Sequence, residues 1–118
     1  MKSNRINVTV KAMSVEEAFA NDEIVSRFVL SQYPGIHEVG GGMFVGQKIF
    51  YYRDIDFESQ TKFTEEDAEV LYKRLAENFP DIEFRVDFDI YKNDVDRGIN
   101  IHESNPRKRV SFGIEVKF

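Results

Sequence analysis

Residues 82–91 read IEFRVDFDIY. Ile82, Phe84, Val86, Phe88 and Ile90 alternate without a break against Glu83, Arg85, Asp87, Asp89 and Tyr91. Successive side chains of a strand point to opposite faces. One face is then a continuous apolar ladder and the other is charged. This pattern predicts an antiparallel sheet with one covered face and one solvated face.

The rest of the chain is read outward from that strand. Residues 5–11 repeat the alternation, with Ile6, Val8 and Val10 on one side and Asn7, Thr9 and Lys11 on the other. Ser14, with Glu17 three residues on, forms a capping box that starts a helix. Its apolar positions are Val15, Ala18, Phe19, Ile24, Val25, Phe28 and Val29, and Asn21-Asp22 offers a second helix start inside it. Tyr33-Pro34-Gly35 ends the segment. The glycines at 40–42 and 46 predict a turn or distorted hairpin. Residues 48–57, KIFYYRDIDF, read as a strand with large residues on both faces. Thr64 and Asp67 cap a second helix with an inner stripe of Ala68, Leu71, Tyr72, Leu75 and Phe79. Short strands are expected at 98–103 and 110–118, joined by a turn at 104–109.

The order β-α-ββ-α-β-ββ predicts an α+β two-layer sandwich. Its sheet is mainly antiparallel, with two helices on one face. The first six elements resemble the ferredoxin-like order, to which a C-terminal hairpin is added. The 118 residues form one domain, 1–118. Eleven Phe and five Tyr supply much of its core. The chain has no Cys, so disulfides and thiolate chemistry are excluded. Its first residues carry no apolar signal core, and no apolar run approaches membrane-spanning length. A cytoplasmic protein is expected.

Sixteen basic against 21 acidic residues give a net charge of −5. That balance argues against general nucleic-acid binding, which needs a basic footprint. It suits a basic protein partner instead. Asp54, Asp56 and Glu58 share one strand face, and Asp87 and Asp89 share another. Glu65 and Glu66 extend the acidic run into the second helix, and Tyr52 and Tyr91 add aromatic contact area. These nine residues are the expected partner-binding set. If the two strands are neighbours, the paired carboxylates could hold Mg²⁺ or Ca²⁺ through oxygen. The expectation is no metal, no cofactor and no catalytic residues, because no nucleophile or supported base accompanies them.

Gly41 and Gly46 have the glycine spacing of a phosphate loop, but Gln47-Lys48 stands where Lys-Ser/Thr is needed. Gly41 and Gly42 with Arg107, Lys108 and Arg109 define an alternative anion site in a small-ligand module acting as a dimer. The C-terminal strand supplies an edge for such a homodimer. In size and charge the chain resembles phage-encoded inhibitors of bacterial defence systems and toxin-immunity proteins. That resemblance implies a non-enzymatic inhibitor which blocks its partner through an acidic and aromatic surface.

Overall fold

The computed structural model describes residues 2–46, 50–90 and 108–116. The elements are β1 (Lys2–Ala12), α1 (Val15–Gln32), β2 (Ile36–Val45), β3 (Tyr51–Thr64), α2 (Glu65–Asn78), β4 (Glu83–Ile90) and β5 (Lys108–Gly113). They form one antiparallel sheet in the order β2-β3-β1-β4-β5. The strand order differs from that of a four-stranded ferredoxin-like sheet, because β5 extends the sheet beyond β4. The strand expected at 98–103 lies outside the described residues.

Register explains the core. Val8 of β1 stands between Ile55 of β3 and Val86 of β4, and Ile6 between Phe57 and Phe88. Val110 and Phe112 of β5 continue those rows. Val25 and Val29 of α1 and Ala68, Leu71 and Leu75 of α2 join the same buried cluster. Both helices therefore cover one face of the sheet. Burying each large apolar side chain contributes about 1.5–3 kcal/mol, so this layer holds the fold together.

The helix starts follow the sequence closely. The Ser14 side chain accepts from the Glu17 amide at 3.1 Å. The Glu17 carboxylate accepts from the Met13 amide rather than from that of Ser14, which leaves the expected box half-formed. At α2 the box is complete, with Thr64 Oγ1 accepting from the Asp67 amide and Asp67 Oδ2 from the Thr64 amide.

Two expectations fail. Asn21-Asp22 does not divide α1, which runs unbroken over 18 residues. Asp22 is used in tertiary contact instead: its Oδ2 lies 2.6 Å from Arg53 Nε and its Oδ1 accepts from Ser26 at 2.7 Å. The glycines at 40–42 are not a turn. They lie within β2, paired with Asp56, Ile55 and Asp54 of β3. Among the described glycines, only Gly35 and Gly113 have positive φ. Gly41 serves close approach: a Cβ there would lie 2.6 Å from the Asp54 carbonyl oxygen and 3.2 Å from Arg53 Nη2.

Candidate functional site

Among the described residues no helix lies on the second face of the sheet, yet its centre is not solvated. Thr9 and Asp87 are 1 % exposed, Asp89 4 % and Asn7 8 %. Polar side chains tolerate such burial only when hydrogen-bonded, and these are. Asp89 accepts both prongs of Arg109, at 2.6 and 2.9 Å. Asp87 accepts from Ser111 Oγ and, at 3.1 Å, from Arg85 Nε. Bidentate and charge-assisted bonds are the strong ones.

The carboxylate pairs on β3 and β4 do not meet directly, because β1 runs between them. Asn7 is the hinge of the arrangement. Its amide donates to Asp54 Oδ1 at 2.5 Å and to Asp56 Oδ1 at 2.7 Å. Thr9 Oγ1 completes the link, 3.1 Å from Asn7 Oδ1 and 3.2 Å from Asp54 Oδ1. One short amide thus fixes the orientation of two adjacent acids. Among the described residues no group of three or more His, Asp or Glu is placed to hold a metal ion.

Beside this pair the surface falls away. Asp54 faces Gly42 and Asp56 faces Gly40 across the β2–β3 ladder. A Cβ at Gly42 would touch nothing within 4 Å, and one at Gly40 would meet only Asp56 Oδ2, at 3.8 Å. Two side-chain-free positions therefore leave a notch along the β2 side of the carboxylates. Tyr52 stacked on Phe44 at 5.4 Å closes one end. Glu58 opposite His37 lies at the other.

The expected partner-binding set is divided by this geometry. Asp54, Asp56 and Glu58 are half-buried and stand on the notch. Asp87 and Asp89 are buried and neutralised by arginine, and Tyr52 is buried, so none of the three presents a free surface. Glu65 and Glu66 are exposed, but they begin α2 on the helix layer, and Glu65 pairs with Lys108 at 3.8 Å. Tyr91 lies outside the described residues. The alternative anion set does not assemble within one chain. Gly41 and Gly42 sit on β2 and Lys108 and Arg109 on β5, at opposite edges of the sheet. That is four strand spacings, roughly 19 Å. Arg107 lies outside the described residues.

Asn7 and Thr9 are not among the site residues the sequence offers; Gly40 reads there only as part of a turn, and Arg53, a possible neutraliser of the strand carboxylates, pairs instead with Asp22. Asn7 and Thr9 stood in view as the polar face of the first strand, but the strand that flanks them decides their role. A cavity of about 340 Å³ also went unforeseen, lined by Tyr33, Pro34, Ser59, Thr61, Phe63 and Asp67 among others.

Burial raises the Asp54 carboxyl above its ordinary value, and the neighbouring charges of Asp56 and Asp87 push the same way, while the Asn7 and Thr9 hydrogen bonds oppose. Asp87 is also raised, first by burial, with Ser111, Arg85 and Arg109 opposing. A carboxyl raised in the folded state favours folding while protonated, and that stability is lost as pH rises through the folded value. Asp54→Asn is neutral at every pH. The variant is expected to melt above wild type at pH 7, with the gap closing as pH falls to the ordinary carboxylate range near ~4. Melting curves of both proteins across that window check this.

No protein-family model, curated protein or solved structure matches this chain. Among the described residues, no helix is long and apolar enough to cross a membrane.

Proposed function

We propose that this chain is a non-enzymatic protein-binding protein of the inhibitor or immunity type, which docks on a basic surface of its partner. The observation that carries this reading is the Asp54–Asp56 pair, held by Asn7 and opened by Gly40 and Gly42. Preorganised carboxylates lose little orientational freedom when a lysine or arginine arrives. The raised Asp54 pKa marks an acid that gains from an incoming cation. Phe44 and Glu58 flank the contact. A phage inhibitor of a bacterial defence system, acting in the cytoplasm, is the narrower form of this reading. The size of the chain, its acidity and its lack of cysteine support it.

The test is capture from a lysate of the native host on the immobilised protein. The reading requires that the captured protein be lost with the Asp54→Asn/Asp56→Asn pair and weakened by added salt. Equal capture by wild type and the double variant would sink it.

The cavity beside Tyr33 supports the alternative of a small-ligand module, since its volume falls in the range of small-molecule sites, roughly 300–1,000 Å³. A ligand-dependent rise in Tm across a nucleotide panel would move the assignment there, by mass action.

A further inference from the structure

The notch opens onto a sheet edge. β2 is an outermost strand, and among the described residues its one neighbour is β3. An unpaired edge presents a row of backbone donors and acceptors that can template another strand, and proteins usually blunt it with charges, proline or brevity. The opposite edge is blunted in this way: β5 has six residues and begins Lys108-Arg109. On β2 the register shifts between Glu38 and Gly40. Beyond that shift, Gly40–Val45 carries neither charge nor proline.

Both sides of this edge are prepared for an alternating strand. On the helix-free face a residue opposite Gly40 or Gly42 meets no side chain, so a long basic side chain laid across β2 reaches Asp54 or Asp56. The span from a strand on that edge to β3 is two strand spacings, about 10 Å. On the helix face the edge is apolar and open. Val45 is 59 % exposed, and Phe19 and Met13 are about half exposed. Register places these residues at one corner: Val45 pairs with Tyr51 and Tyr51 with Ala12, which precedes Met13. Phe19 lies under the Arg53 guanidinium, 5.2 Å away, and Arg53 pairs with Met43.

We propose that Gly40–Val45 binds an extended segment of a partner protein by strand addition. The segment alternates basic residues, which pair with Asp54 and Asp56, with apolar residues, which cover Val45, Met43 and Phe19. Recognition of this kind takes affinity from main-chain bonds and specificity from alternate side chains. A second copy of this chain is a poorer occupant, because its β2 has no lysine or arginine to bring to the carboxylates and the Lys108 and Arg109 of its β5 edge are paired with Glu65 and Asp89. The inference rests on the docking role of Asp54 and Asp56 and adds the form of the partner.

The probe is a labelled synthetic peptide of alternating lysine and valine, titrated into the full chain and followed by fluorescence anisotropy. Saturable binding is expected, and the same peptide N-methylated at every residue should bind at least about tenfold more weakly, because no backbone donor is left to face β2. A Cβ at Gly42 meets nothing within 4 Å, so Gly42→Val should narrow the notch and weaken the peptide to a similar degree while Tm is not lowered. Equal binding of the methylated peptide, or undiminished binding by Gly42→Val, overturns strand addition. If Asp54→Asn/Asp56→Asn still weakens the peptide in that case, carboxylate docking itself stands. If that variant binds as wild type does, both fail. A dimeric mass of the free protein that Gly42→Val converts to monomer assigns the edge to a second copy and also overturns the proposal.

Discussion

Arg53→Met should cost about 3 kcal/mol of folding stability, near the lower end of what breaking a buried ion pair costs. The position looks replaceable from the sequence, where it is one charge in a strand rich in charge. In the fold it lies on the helix face of β3. There its Nε meets Asp22 of α1 at 2.6 Å, with side-chain exposures of 21 % and 12 %. Removing the guanidinium leaves a largely buried carboxylate with Ser26 as its remaining donor among the bonds that hold it. The partial exposure of the pair keeps the expected loss toward the low end. Replacing both partners, Asp22→Leu with Arg53→Met, removes the orphaned charge as well. The double variant should return to within about 1 kcal/mol of wild type. Urea denaturation of the three proteins decides the matter. Equal losses in the single and double variants would show that the pair itself, rather than a stranded charge, carries the stability.

Gly41→Val should destabilise by about 2–3 kcal/mol, as overpacking does, although the adjacent Gly42→Val should be neutral or gain about 0.5–1 kcal/mol from reduced backbone freedom. The contrast follows from one glycine facing each way. At Gly41 a Cβ collides with the Asp54 carbonyl oxygen at 2.6 Å, and backbone cannot swing aside. The Arg53 guanidinium occupies the space beyond it. At Gly42 the same atom enters open space over the notch. Thermal melts of the two variants check the sign of each. Two equal losses would mean that both positions need glycine for its flexibility.

Much of this fold stood in the sequence, for local reasons. The alternation read from Ile82 onward became β4 over Glu83–Ile90, and Thr64 with Asp67 became a full capping box. Both depend on residues a few positions apart. What could not be read depends on distant neighbours. Asp22 carries the same local signal whether it starts a helix or reaches Arg53 across 31 positions. Three consecutive glycines suggest a turn by composition, and only the presence of Arg53 and Asp54 next door shows them to be strand. The alternation at Asp87 and Asp89 correctly puts them on the face away from the helices. Asp87 is held by Ser111 and Asp89 is neutralised by Arg109, both of β5 and at least 20 residues on. The candidate site was thus half visible: Asp54 and Asp56 could be named, the glycines beside them read as a turn, and the Asn7 amide that orients them could not be named.

The proposed function stands on Asp54 and Asp56 as a prepared docking point for a cationic side chain. Its most direct test is site-resolved carboxyl NMR of the full chain during titration with the lysine–valine peptide. The Asp54 and Asp56 carboxyl signals should move together and saturate, while those of an exposed acid elsewhere, such as Glu77 on α2, stay in place. Unmoved Asp54 and Asp56 signals, or equal movement of every exposed acid, would contradict it.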